Sequence, residues 1–149
     1  MPHFQNDLQV HFQDAPKRFI ADFYTSFTEE ILHSGDDPGA IVDRFHEPGF
    51  VQVADGNVID REKLTAHLRP VRKNVLASRM EVHDALVDGD LLAARYTLHV
   101  TGRKGDTVSD VHFFGRFAPD GRMREAHVLS RTRRVDAADP ADAATVDGG

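Results

Sequence analysis

The sequence predicts an α+β fold in which helices cover one face of a curved antiparallel sheet. Two observations carry this prediction. The first half has apolar residues at helical spacing, whereas from Ser78 onward apolar and polar residues alternate with a period of two. The later strands are joined by short connections, which indicates antiparallel neighbours. A block of helices before a run of strands is typical of a helical layer packed on one side of a sheet.

The first predicted helix has an apolar face and signals at both ends. Asp14 is the expected N-cap, Pro16 fits the first turn, and Gly35 is expected to end the helix. The aromatic face of this helix is therefore predicted to pack on the sheet. Its residues are Phe19, Ile20, Phe23, Tyr24, Phe27 and Ile31.

Two shorter helices flank a predicted hairpin. The second helix starts at Asp36–Pro38, and Asp60 is the expected cap of the third. Between them, Phe50–Val53 has the composition of a strand. The turn signal Asp55–Asn57 then lets Val58–Ile59 pair back with it.

Four long strands fill the second half, and their apolar sets are predicted to face the helices, because an antiparallel sheet often buries one face only. Asp84 and Tyr96 are then the polar residues on the buried side. The predicted strands are Arg79–Val87, Leu91–Thr101, Thr107–Phe117 and Arg122–Arg133.

The last strand has two possible facings. The set that contains Met123 and Leu129 is taken as inward, because this choice avoids burying Arg124. It places Glu125 and His127 in the pocket between helices and sheet. A slip of one residue reverses the assignment.

Length and composition predict a single domain, residues 15–134, between an N-terminal arm (1–14) and an acidic tail (135–149) that is expected to be disordered. The chain has no cysteine, which excludes disulfides and thiolate chemistry. No signal peptide or membrane span is visible, so a cytoplasmic protein is expected. Much of the net charge of −6 lies in the tail, and the nearly balanced remainder predicts no binding to nucleic acid.

Several motifs together resemble the SnoaL-like group of the nuclear transport factor two-like superfamily. They are the Val-Gln-Val-Ala-Asp-Gly turn, the segment Asp60–Leu64 and the closing segment Phe117–Glu125, within a resemblance that covers about Phe19 to Arg133. The resemblance implies a cone-shaped barrel with a pocket between the long helix and the concave sheet. Its members include polyketide cyclases, ketosteroid isomerases, scytalone dehydratases, limonene epoxide hydrolases and binding proteins, so fold alone leaves the function open.

The resemblance also implies roles for particular residues. In cyclase-type members an acidic residue deep in the sheet acts as acid or base, and Glu125 lies in the corresponding strand. In isomerase-type members a tyrosine on the first helix donates to an oxyanion, and Tyr24 is similar in placement. Those members have an acid near the first strand, where this sequence has Gln52 and Val53, followed by Asp55.

The leading hypothesis is a cofactor-independent enzyme that cyclises, isomerises or dehydrates a small apolar carbonyl or polyketide-like compound. His127 and Glu125 would move protons, Asp84 would assist, and Tyr24 and Tyr96 would stabilise enolate charge. Each of these residues also has a structural interpretation, as a strand histidine, a surface ion pair or a core aromatic. The residues expected to shape the pocket or its supporting core are Phe23, Phe27, Phe113 and Phe117.

The alternative hypothesis is a non-catalytic ligand-binding or assembly domain of the same fold. No metal is expected, although His83, His99 and His112 fall one per strand on the polar side. That polar side also carries Phe114, an apolar residue on an otherwise wet surface. A homodimer packed through the outer face of the sheet, with Phe114 near its centre, is therefore predicted.

Overall fold

A computed structural model describes residues 12–135, so the predictions made for residues 1–11 and 136–149 lie outside the described part of the chain. Two helices precede the first hairpin, a third helix follows it, and four long strands come last. The elements are α1 (Pro16–Glu29) with a π-helical last turn (Glu30–Ser34), α2 (Pro38–Phe45), β1 (His46–Ala54), β2 (Asn57–Asp60), α3 (Arg61–Asn74), β3 (Val75–Asp88), β4 (Leu91–Gly102), β5 (Asp106–Phe117) and β6 (Met123–Val135).

The six strands form one curved, unclosed sheet in the order β2-β1-β6-β5-β4-β3. The neighbours β3 to β6 pair antiparallel, as their short connections predict. β1 lies beside β6 and runs parallel to it, because the chain crosses over between the first hairpin and the last strand. The α+β class with N-terminal helices is thereby confirmed.

Local signals explain most helix ends. The Asp37 side chain accepts from the amide of Ala40 at the start of α2, and Asp60 accepts from Lys63 at the start of α3. Gly35 has a φ of 71°, the left-handed conformation that ends α1 and its last turn. The predicted cap Asp14 is wrong: Pro16 is already helical and Ala15 is the N-cap, so Asp14 lies one residue too early.

The core lies between the aromatic face of α1 and the concave face of the sheet. Phe19, Phe23 and Phe113 are fully buried, and Phe117 contacts Phe19 and Phe23 edge-on at ring-centroid distances of 4.9 and 5.5 Å. Offset and edge-on aromatic contacts of this kind add to the burial of apolar area. Phenylalanine therefore supplies much of the packing.

Two irregularities change which side chains face the core. The register shifts between Val82 and Asp84 in β3, where His83 is an extra residue opposite β4. It shifts again in β6, where Phe117 pairs with Met123 but Arg116 pairs with Glu125. Each bulge reverses the alternation of the residues that follow it along the strand.

Candidate functional site

Two tyrosine side chains meet on the concave face. Tyr24 comes from α1 and Tyr96 from β4, and their ring centroids lie 6.0 Å apart. Tyr96 is 5% exposed, whereas Tyr24 is half-buried. Phe23 and Phe113 contact the Tyr24 ring edge-on, so the pair lies in largely apolar surroundings. The predicted inward facing of both tyrosines agrees with the structure.

The environment keeps both phenols neutral. Burial raises the pKa of Tyr24 well above its ordinary value, and the charge and hydrogen bond of Tyr96 raise it further. Burial also raises the pKa of Tyr96, and the hydrogen bond from Tyr24 offsets only part of this shift. Either hydroxyl can be the donor in that bond, so one of the two phenolic protons remains for another acceptor.

A carboxylate lies at the concave edge of the sheet, in the turn between β1 and β2. The two oxygens of Asp55 accept from the amide and the hydroxyl of Ser130, at 2.7 and 2.6 Å. These bonds lower the pKa of Asp55, so the group is ionised. Ser130 pairs with Val111, which pairs with Tyr96. Asp55 lies beyond Ser130 on the β1 side, so its backbone is about three strand spacings, or roughly 14 Å, from that of Tyr96.

A neutral imidazole is buried where α2 meets β1. His46 is 3% exposed, and its Nδ1 lies 2.9 Å from the carbonyl oxygen of Val42, to which it donates. The rings of Phe27 and Phe50 lie 5.1 and 4.5 Å from it. Burial lowers the pKa of His46 to about 4, although the Val42 hydrogen bond and the charge of Asp43 act in the opposite direction.

The predicted inward facing of Asp84 is wrong. The bulge at His83 turns Asp84 to the outer face, where its carboxylate accepts from Nη2 of Arg95 at 2.8 Å. His83 itself lies 2.7 Å from the hydroxyl of Thr97, which donates to Asp110 at 3.0 Å. These polar groups form a network on the outer side of β3, β4 and β5.

The predicted inward facing of Glu125 and His127 is also wrong. Met123 is fully buried as expected, but the bulge that follows it puts Ala126 inside and leaves Glu125 and His127 exposed. Glu125 forms an ion pair with Arg116 at 3.2 Å on the outer face. A catalytic role for either residue on the concave side is therefore not supported by their position.

The outward side chains of β6 line a groove of about 370 Å³ on the convex face. Phe114 and Leu129 are 53% and 69% exposed there. Phe114 pairs across the strands with His127, and Leu129 pairs with His112. The groove is thus a mixture of apolar side chains and imidazoles on the side of the sheet opposite the tyrosines.

The four phenylalanines predicted to shape the pocket all belong to the buried core. Phe23 and Phe113 touch Tyr24, whereas Phe27 packs on Phe45 and His46. Sequence reasoning did not single out Asp55 as a site residue, because it reads first as a turn residue. His46 follows the last residue of α2, and its bond to the carbonyl of Val42 caps that end of the helix.

Within residues 12–135, no group of three or more His, Asp or Glu side chains is arranged to hold a metal ion. His83 is engaged with Thr97, and His99 lies 3.4 Å from Glu81. No helix in this part of the chain is long and apolar enough to cross a membrane.

The same fold occurs in solved structures of proteins that process small molecules. IdmH from Streptomyces antibioticus, a proposed polyketide cyclase, is 20% identical and superposes with a TM-score of 0.54 over 73% of this chain and 89% of its own. An LEH-like epoxide hydrolase from M. tuberculosis is 15% identical, with a TM-score of 0.56 over 74% of this chain and 81% of its own. BvnE pinacolase from Penicillium brevicompactum is 10% identical, with a TM-score of 0.54 over 82% of this chain and 91% of its own.

Sequence comparison assigns the family. No curated protein matches the chain. The profile of the SnoaL-like domain, however, matches residues 18–126, which span α1 to the buried part of β6. This range includes both tyrosines, His46 and Asp55, and it confirms the resemblance carried by the motifs. The chain therefore belongs to the SnoaL-like family.

Proposed function

We propose that the protein is a cofactor-independent acid/base enzyme that acts on a small apolar carbonyl or polyketide-like compound by cyclisation, isomerisation or dehydration. The observation that carries this proposal is the Tyr24–Tyr96 pair on the concave face, in largely apolar surroundings. The Tyr96 proton would be donated to the carbonyl oxygen of the ligand, while Tyr24 donates to Tyr96. A neutral donor in apolar surroundings stabilises an enolate oxygen more strongly than water does.

We assign the base to Asp55. The carboxylate is ionised, it lies at the edge of the concave face, and it shares a cross-strand row with Tyr96. Because Asp55 is further from the tyrosine pair than a carbonyl oxygen is from its own α-carbon, the carboxylate would remove the proton from carbon through a bridging water while Tyr96 holds the oxygen. Phe23 and Phe113 would then contact the apolar part of the ligand or support its pocket.

The alternative function is ligand binding without catalysis. It is favoured by the fact that both oxygens of Asp55 already accept from Ser130. A carboxylate with satisfied hydrogen bonds is a weaker base than one aimed at empty space. In this case the Tyr24–Tyr96 pair would select carbonyl ligands and no bond would change.

One pair of compounds separates the two functions. The ketone 2-tetralone and the hydrocarbon tetralin are similar in size, but only 2-tetralone has a carbonyl group. Binding of each is measured by calorimetry, and deuterium uptake at the α-carbon of 2-tetralone is followed by NMR in heavy water. Catalysis predicts protein-dependent uptake, whereas binding alone predicts a preference for the ketone without accelerated uptake.

Substitutions identify the groups responsible. Tyr96→Phe is expected to slow deuterium uptake by about 10²-fold, the usual loss for one oxyanion donor, and Asp55→Asn is expected to abolish it. Glu125→Gln and His127→Gln are the matched controls, because both residues face outward. Uptake that depends on Glu125 or His127 but not on Tyr96 would contradict the assignment.

We further propose that the protein is a homodimer formed through the outer face of the sheet and that it works in the cytoplasm. The exposed apolar side chains of that face support the first proposal, and the absence of cysteine supports the second. Isomerase or lyase activity in secondary metabolism would suit such a protein.

A further inference from the structure

One end of the sheet concentrates positive charge. We call it the basic end and define it as the lysines and arginines of residues 69–79, 102–105 and 131–134. These segments hold nine of the 18 basic residues of the chain and no acidic residue. The rest of the molecule must be strongly acidic, because the whole chain has a net charge of −6.

Hydrogen bonds join the three segments into one surface. The Arg103 side chain donates to the carbonyl of Lys73 at 3.0 Å, which ties the β4–β5 turn to the end of α3. Arg134 donates to the carbonyl of Lys104 at 2.5 Å, which ties the end of β6 to the same turn. The basic end therefore spans the sheet from β3 to β6.

The cations of the basic end have no carboxylate partners in the described part of the chain. None of its nine residues forms an ion pair there. Elsewhere seven arginines do, among them Arg61 with Asp43 and Arg124 with Glu47. Like charges held together repel one another, so an anionic partner would be bound at this surface.

The complementary charge lies in the same chain. Residues 136–149 follow directly after Val135, the last residue of β6, and contain four aspartates and no lysine or arginine. Fourteen extended residues span up to about 46 Å. The four strands β6 to β3 are crossed in about 14 Å, so Asp139 and Asp142 can reach the β4–β5 turn and the end of α3.

We propose that the acidic segment 136–149 binds across the basic end. Several weak ion pairs act together because the segment is tethered, and they weaken as salt is added.

Competition with a free acidic peptide tests this contact. Binding of a labelled ten-residue poly-aspartate peptide is measured by fluorescence anisotropy at low salt. It is compared between the full chain and the full chain in which Asp136, Asp139, Asp142 and Asp147 are all replaced by Asn. The substituted chain is expected to bind the peptide at least about five-fold more tightly, because its own segment no longer competes.

Charge reversal locates the binding surface. Adding Lys104→Glu and Arg131→Glu to the substituted chain is expected to remove peptide binding. Adding Lys17→Glu and Lys63→Glu, two lysines outside the basic end that also lack an ion pair among the described residues, is expected to leave it. Equal peptide affinity of the two chains would overturn the proposal. It would also be overturned if a duplex DNA bound both chains equally tightly.

A spin label provides a second readout. The chain has no cysteine, so Ala144→Cys creates a unique site for a nitroxide. At low salt the label is expected to broaden the amide NMR signals of Lys73 and Arg103. Replacing the four aspartates by asparagine should remove this broadening. Broadening that is the same with and without the aspartates would show that tethering alone brings the segment near, and the proposal would fail.

Discussion

Individual residues of the concave side owe their protonation state to burial. Tyr24 and Tyr96 stay neutral because their phenolate forms would lose solvation, and His46 stays neutral because its imidazolium form would. Asp55 differs, because its hydrogen bonds from Ser130 favour the charged form. The interior therefore holds neutral donors, whereas the stabilised anion is an exposed residue of the β1–β2 turn.

His46 should make stability depend on pH. Its pKa is about 4 in the folded chain and about 6.5 in the unfolded one, so the unfolded chain takes up a proton first as pH falls. The contribution of the neutral, buried His46 to the free energy of unfolding is complete above pH 6.5. It is lost progressively between pH 6.5 and 4, and the loss amounts to roughly 3 kcal/mol. Urea unfolding at several pH values measures it.

His46→Gln removes the titrating group while keeping a donor for the Val42 carbonyl. This variant should lose less stability between pH 6.5 and 4 than the natural chain does. His33→Gln controls for the replacement of a histidine by glutamine at an exposed position. The same loss of stability in the natural chain and in His46→Gln would contradict the buried neutral imidazole.

At the scale of elements, the alternation rule predicted β4 and β5 correctly and failed where a strand contains a bulge. Leu92 and Tyr96 are buried on β4, as the sequence pattern indicates. Nothing in the alternation around His83 or Arg124 signals an extra residue, and one extra residue moves Asp84, Glu125 and His127 to the other face. The fold was therefore predictable from local patterns, whereas the site depended on two bulges that only the pairing of strands reveals.

β5 also depends on a close approach between its backbone and the core rings. A Cβ atom at Gly115 would lie 2.6 Å from Cε1 of Phe113 and 3.2 Å from Cε1 of Phe117. Phe113 is fully buried and cannot swing into solvent. Gly115→Ala is therefore expected to lower the free energy of unfolding by about 1–3 kcal/mol, as overpacking does.

Gly49→Ala is the matched control for this effect. A Cβ atom at Gly49 meets no heavy atom within 4 Å, so its stability should change little. Both variants are compared by chemical denaturation. Equal stability of Gly115→Ala and Gly49→Ala would mean that Phe113 repacks freely. Tyr24, which Phe113 contacts, would then be held less rigidly than the burial of Phe113 indicates.

At the scale of the whole molecule, the two faces of the sheet have different chemistry. The concave face buries aromatic residues and the tyrosine pair. The convex face carries ion pairs, such as Arg95 with Asp84, around exposed apolar side chains. Exposed apolar residues clustered on one face are typical of a surface that associates. They include Leu86, Phe114 and Leu129, of which Leu86 is 75% exposed.

The proposed homodimer places these side chains against the same face of a second copy. In a two-fold interface, a residue near the axis lies close to the same residue of the second copy. The Phe114 side chains of both copies, at the centre of β5, would therefore be buried together. Phe114→Glu would put two carboxylates into that apolar contact and is expected to convert the dimer to a monomer. Light scattering at micromolar concentration measures the state, and Val58→Glu, which alters another exposed apolar residue on β2, is the control. A natural chain that is monomeric would contradict this assembly. A dimer that survives Phe114→Glu would contradict it too, because an interface centred on Phe114 could not accommodate two buried carboxylates.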